Sequence, residues 1–196
     1  MIIDRDCALF GTSPGLPDEA FASDGLITKR AVRASALAHL RPLPGQLLWD
    51  VGVGAGSVAI EWCRGAVGAQ AIGLERRADR AARALENAER LAPGGAFSLV
   101  LGEAHDLLPQ LPAPDAVFVG GGATMALLAD AMAALRPAGR VVVHGITLEA
   151  ELLCAEAHAR WGGHLSRLQI ETLEPLGSLQ GWKPARTVTQ WALTAD

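Results

Sequence analysis

The sequence predicts an α/β fold: a doubly wound, mostly parallel, seven-stranded sheet with helices on both faces and antiparallel strands at its C-terminal edge. Three observations carry that expectation. From Gln46 onward, apolar runs of strand length alternate with segments whose apolar residues recur at helical spacing. The first run leads into a glycine-rich turn, Asp50-Val51-Gly52-Val53-Gly54-Ala55-Gly56, which opens the next helix. After Trp161 the helical spacing stops, and two stretches alternate apolar and polar residues instead.

In chain order, residues 1–27 are rich in Pro, Gly and Asp and read as an irregular arm, and residues 28–196 as a single domain. Thr28 is placed to cap a helix from Lys29 to Leu40, which Pro42 and Pro44 end. Gln46 to Val51 is the first strand, and Ser57 to Arg64 is the helix after it. Gln70 to Leu74 is the second strand. Ala78, Ala81, Ala82, Leu85, Ala88 and Leu91 then share a helical face closed by Pro93-Gly94-Gly95. Phe97 to Leu101 is the third strand, with a short helix at Ala104 to Leu108. Ala116 to Val119 is the fourth, before Gly120-Gly121-Gly122 and a helix from Met125 to Leu135. Arg140 to His144 is the fifth, before a helix from Leu148 to Trp161. Strands alternating with helices of this length require right-handed crossovers, which make the strands parallel. His164 to Leu173 and Thr187 to Leu193 supply two more strands, joined by a loop and antiparallel at one edge.

The chain has 196 residues, enough for one domain with a core. Its apolar runs are far shorter than the ~20 residues of a membrane span. The first residues, Met1-Ile2-Ile3-Asp4-Arg5-Asp6, carry early acids and no apolar stretch, so no signal peptide is expected. Cys7, Cys63 and Cys154 stand far apart without metal-ligand spacing and read as reduced thiols of a cytoplasmic protein. No metal site is expected. The net charge of −4, with no run of Lys or Arg, argues against a nucleic-acid partner.

The glycine turn points to a nucleotide-like ligand, because glycines let it approach the backbone and the helix beginning at Ser57 offers free N–H groups. Nicotinamide folds need G-x-G-x-x-G, whose third glycine would fall at Ser57; here the glycines are Gly52, Gly54 and Gly56, preceded by Asp50. Glu75 ends the second strand, where a carboxylate can accept both ribose hydroxyls, and Gly102-Glu103-Ala104 takes the equivalent place after the third. This D-x-G-x-G-x-G pattern resembles the first motif of class I S-adenosylmethionine methyltransferases, whose sheet is Rossmann-like. The cofactor-binding candidates of this pattern are Asp50, Gly52, Val53, Gly54, Ala55, Gly56, Glu75, Gly102, Glu103 and Ala104.

A narrower resemblance follows from Gly15-Leu16-Pro17-Asp18-Glu19-Ala20-Phe21, Asp24-Gly25-Leu26-Ile27-Thr28-Lys29-Arg30, Asp115 to Gly122, Arg136 to Arg140 and Ile146-Thr147-Leu148-Glu149. These stretches, with the glycine turn, resemble the decarboxylating precorrin methyltransferases of cobalamin biosynthesis, in particular the C-terminal-type domain of the C5,15 enzymes. The resemblance implies C-methylation of a precorrin at meso carbon 15 with decarboxylation of the ring C acetate. It also implies S-adenosylmethionine as cofactor, S-adenosylhomocysteine as product, contacts from Thr28, Gly52 to Gly56, Glu75 and Ala104, and a homotetramer. Many relatives carry a second tetrapyrrole methyltransferase domain that does not precede this one, leaving a stand-alone subunit and a C-terminal half both open. His144 stands where the family carries a small polar residue.

Proton transfer during decarboxylation makes His105 and His144, each just after a strand end, the catalytic candidates. A polycarboxylate substrate needs cations, and Lys29, Arg30, Lys183 and Arg186 are the candidates. The competing readings are a methyltransferase for RNA or another small molecule and a non-catalytic cofactor-binding subunit. Val119-Gly120-Gly121-Gly122 lacks the Asn/Asp-Pro-Pro-Tyr tetrad of amino-methylating nucleic-acid enzymes.

Overall fold

The computed structural model describes residues 11–195; Cys7, the arm before Gly11 and Asp196 lie outside the described residues. The parallel strands are β1 (Leu47–Val51), β2 (Gln70–Glu75), β3 (Phe97–Leu101), β4 (Ala116–Val119) and β5 (Arg140–Gly145). The helices between them are α1 (Arg30–Leu40) before β1, α2 (Ser57–Gly65), α3 (Ala78–Leu91), α4 (Ala104–Leu107), α5 (Met125–Ala134) and α6 (Leu148–Trp161). The C-terminal part adds β6 (His164–Leu168), β7 (Glu171–Leu176), β8 (Leu179–Pro184) and β9 (Val188–Thr194). The seven-stranded sheet has the order β3-β2-β1-β4-β5-β9-β6, with β9 inserted antiparallel between β5 and β6.

Alternation along each strand divides the core. Leu48, Phe118, Val142 and Ala192 pack with Trp62 and Leu37 on the face covered by α1 to α3. Trp49, Val117, Val143 and Trp191 pack on the other face beneath α5 and α6. Each buried large side chain contributes about 1.5–3 kcal/mol. The strands of β4 and β5 are buried at every position, as a sheet covered on both faces requires.

Two expectations are corrected. Thr28 does not cap α1: the helix begins at Arg30 with Lys29 as its N-cap and no side-chain cap bond. The reason is that the Thr28 carbonyl is engaged by the Arg33 guanidinium, 2.5 Å away, which fixes the chain before the helix starts. The expected strand from His164 to Leu173 is two strands. Its pairing with β9 ends at Leu168↔Val188. Beyond that, β7 pairs with β8 as a separate two-stranded hairpin, so the segment expected to be a loop is itself a strand.

The arm, from Gly11, is cross-linked to the helices. Glu61 on α2 accepts from the Gly15 and Leu16 backbone N–H groups at 2.6 and 2.9 Å and from Arg33 Nε at 2.5 Å. Arg33 also donates to Asp18 and to the Leu16 carbonyl. Leu16, Ala20 and Phe21 bury against Ile60 and Leu91. Asn87 on α3 binds both the N–H and the carbonyl of Ala22 and, at 2.8 Å, the carbonyl of Ala55 in the glycine turn.

Candidate functional site

The carboxyl ends of β1, β2, β4 and β5 open into a cavity of about 1160 Å³. Its first wall is backbone. Asp50, fully buried, accepts from the Ala59 N–H at 3.0 Å and so fastens the start of α2 to β1. Burial pushes the Asp50 carboxyl up to about 8, with the nearby Glu75 charge acting in the same direction. Gly52 has φ +71°, and a Cβ there would meet the Gly121 carbonyl at 3.0 Å, so this close pass between the two turns requires glycine. The Gly52 and Val53 N–H groups donate to the Leu74 carbonyl at 2.9 and 3.1 Å, tying the turn to β2.

Glu75 ends β2 with its carboxylate fixed by three backbone donors: Arg76 and Arg77 at 3.0 and 3.1 Å, and Gly54 at 3.2 Å. Gly102 donates to the Glu75 carbonyl at 2.8 Å, which sets Gly102, Glu103 and Ala104 beside it on the rim. Of the cofactor candidates, Thr28, Asp50, Gly52, Val53, Gly54, Ala55, Glu75, Gly102, Glu103 and Ala104 line this one cavity. Gly56 does not. It lies buried beneath the turn at the start of α2, where a Cβ would press on Ile60 at 3.2 Å.

Another part of the lining is made of charged side chains. Lys29, Arg30, Lys183 and Arg186 all line it. Lys183 is paired with Glu174 at 2.8 Å and Lys29 loosely with Asp18 at 3.8 Å. Arg30 and Arg186 have no ion-pair partner among the described residues. The β7–β8 hairpin turns Thr172, Glu174 and Lys183 toward the cavity, while Leu173 and Trp182 on its other face are exposed.

The two histidines separate. His105 is taken out of the site: one position past Ala104, the helical turn directs it to Asp130 on α5 at 3.3 Å, with its side chain 72% exposed. His144 lines the cavity floor, buried, edge-on to Phe118. Its Nε2 donates to Gln190 Oε1 at 2.9 Å, across the β5–β9 register, and Ser35 donates to the same oxygen at 3.1 Å. Burial drives the His144 pKa down to about 4, so the ring is neutral at physiological pH.

Residues that sequence reasoning missed include Gln190, Phe118, Arg76 and Arg80. Gln190 was signalled only by the alternation of the last strand, which sets it opposite His144 once the register is known. No helix among the described residues is long and apolar enough to cross a membrane. Among those residues no cluster of three or more His, Cys, Asp or Glu is placed to hold a metal.

Known proteins sharpen the comparison. The precorrin methyltransferase domain family matches residues 19–195. The chain is 42% identical over 192 residues to a precorrin-6Y C(5,15)-methyltransferase (decarboxylating) from Sinorhizobium sp, covering 97% of this chain and 46% of that protein. It therefore spans about half the length of that relative. Against a cobalt-precorrin-6B C(15)-methyltransferase (decarboxylating) from Salmonella typhimurium it is 37% identical, covering 83% of this chain and 85% of the other. The crystal structure of the C-terminal domain of precorrin-6Y C5,15-methyltransferase from Rhodobacter capsulatus superposes with a TM-score of 0.88 at 43% identity, over 94% of this chain and 99% of that one.

Proposed function

The chain belongs to the precorrin methyltransferase domain family, and on that premise we propose that it methylates meso carbon 15 of precorrin-6B from S-adenosylmethionine and decarboxylates the ring C acetate. The observation that carries this reading is one cavity with two unlike walls: a backbone cradle with an oriented carboxylate, and a face bearing two guanidiniums without ion-pair partners.

The cradle fits the cofactor. The Gly52 to Ala55 backbone would hold its amino-acid end, the fixed Glu75 carboxylate the ribose hydroxyls, and Gly102, Glu103 and Ala104 the base, with Thr28 at the mouth. When bound, S-adenosylmethionine supplies an electrophilic methyl group on a sulfonium. The protein's part in that transfer is placement of the acceptor carbon in line.

Arg30 and Arg186 bind carboxylates of the precorrin, as unpaired guanidiniums do by two parallel hydrogen bonds. Lys29 and Lys183 bind more weakly, since each must leave a resident acid. Neutral His144, held by Gln190, lines the floor with Phe118 and keeps that end of the cavity uncharged and dry. The carbon left by departing carbon dioxide takes its proton from solvent or substrate, because the neutral His144 ring is far too weak an acid to supply it.

The domain works in the cytoplasm as a homotetramer, alongside or fused to a second tetrapyrrole methyltransferase domain. The exposed outer face of the hairpin, with Leu173 and Trp182, suits burial between subunits. The direct test is anaerobic incubation with precorrin-6B and S-adenosylmethionine, read by mass spectrometry. A product with one added methyl and without one carbon dioxide is expected. Unchanged precorrin in the presence of bound cofactor overturns the substrate assignment.

A further inference from the structure

Three glycines follow β4, and the fold requires only two of them. Gly122 has φ +70°, a conformation that strains any other residue. A Cβ on Gly120 would meet the Phe118 ring at 3.1 Å. Gly121 has neither reason. Its φ lies outside the left-handed region, and a Cβ added there meets nothing within 4 Å. At such a position alanine is normally neutral or stabilising, because it narrows the unfolded ensemble.

Gly121 also lines the cavity, and apart from its chain neighbours no protein atom lies within 4 Å of the place its Cβ would take. It stands beside the glycine turn. Its carbonyl oxygen and nitrogen lie 3.0 and 3.6 Å from the Cβ position of Gly52 in the cofactor cradle. Phe118, three residues before it, packs against His144 on the floor of the other half. The Gly120 N–H donates to the Val51 carbonyl at 3.1 Å and holds this turn against β1.

We propose that Gly121 is a specificity-determining residue: its bare backbone keeps open the passage through which a broad, planar acceptor brings its carbon to the methyl donor. This rests on the function proposed above. The acceptor carbon must come within about 3–3.5 Å of the methyl group, and a displacement of about 1 Å costs on the order of 100-fold in rate. A methyl group projecting from residue 121 imposes a displacement of that size on a flat macrocycle, which cannot bend around it. A small or flexible acceptor could.

The test compares Gly121→Ala and Gly121→Val with Gly94→Ala. Gly94, in the exposed turn before β3, has the same open surroundings but does not line the cavity. Melting temperature, S-adenosylhomocysteine affinity and kcat/KM with precorrin-6B are measured for each. The Gly121 variants should melt no lower than the parent and bind S-adenosylhomocysteine within about threefold of it. Their kcat/KM should fall about 100-fold for Ala and further for Val, with Gly94→Ala unchanged. Unaltered kcat/KM in both Gly121 variants, or a parallel loss of S-adenosylhomocysteine affinity, overturns the proposal while leaving the function standing. A parent chain that binds S-adenosylhomocysteine but leaves precorrin-6B unchanged overturns both.

Discussion

The two walls of the cavity are built by opposite means. On the side of the glycine turn the polar groups are held in place: the Glu75 carboxylate by three backbone N–H groups, Asp50 by the Ala59 N–H, and the Ala55 carbonyl by the Asn87 side-chain amide. On the other side long side chains reach in from an exposed loop, a hairpin and the first turn of α1, and two of the four cations are unpaired there. The difference teaches where rigidity is needed. The held groups are preorganised before any ligand arrives, whereas the unpaired cations gain their order only on binding one.

The comparison breaks first at the cross-links behind the rigid wall. Replacing Glu61 by Ala removes the buried carboxylate of the Arg33 guanidinium, leaves it only the half-buried Asp18, and frees the Gly15 and Leu16 N–H groups. Unfolding in urea should show a loss of about 3 kcal/mol, the cost of removing one partner of a buried ion pair. A loss below about 1 kcal/mol would mean that the arm is a dispensable appendage.

His144 lies on the floor between the walls and tests whether that floor is dry. Its pKa, about 4 in the folded chain, is depressed below the ordinary 6.5. Between those values the unfolded state binds the extra proton, so the contribution of a neutral buried ring is complete above about pH 6.5 and lost as pH falls toward 4. The stability gap between the parent chain and His144→Asn should therefore grow with pH by on the order of 3 kcal/mol across that window and flatten above it. A gap independent of pH would show a hydrated imidazole.

The same contrast explains what the sequence could reveal. The order of strands and helices was legible because burial on both faces writes itself as apolar runs, and β1 to β5 fall within a residue or so of their expected bounds. The glycine turn and Glu75 were legible as neighbours because their signal is local: a turn of seven residues and an acid at the next strand end. Contacts between distant polar residues leave no such trace, and nothing in the spacing of Gly15 and Glu61 announces that they bond. The hairpin was missed because its strands pair only with each other and stay mostly exposed, so the buried-strand signal is absent. His105 was misplaced by a single position, which on a helix turns a side chain by about 100° and moves it from the rim to Asp130.

Glu75 sharpens the rigid side of the comparison. Glu75→Ala should weaken S-adenosylhomocysteine binding roughly 10- to 100-fold by calorimetry, as expected for losing charged hydrogen bonds to a ligand. Precorrin KM at saturating cofactor should stay near that of the parent. If KM rose as much as the cofactor affinity fell, the walls would not be separate.

The smallest effect belongs to the adaptable wall. Arg186 is exposed and unpaired among the described residues, and it reaches the cavity from the loop between β8 and β9. Because no hydrogen bond or ion pair among the described residues ties it to the glycine turn or Glu75, Arg186→Ala should leave S-adenosylhomocysteine affinity unchanged. Precorrin KM should rise about tenfold, the worth of one partly hydrated charged hydrogen bond. Arg186→Lys should recover only part of that, since a point charge cannot reproduce a two-bond grip on a carboxylate. Full recovery by lysine would reduce the role of Arg186 to long-range attraction, and KM would then rise with salt. Equal losses of substrate and cofactor binding would instead place Arg186 in the rigid wall and erase the distinction between the two.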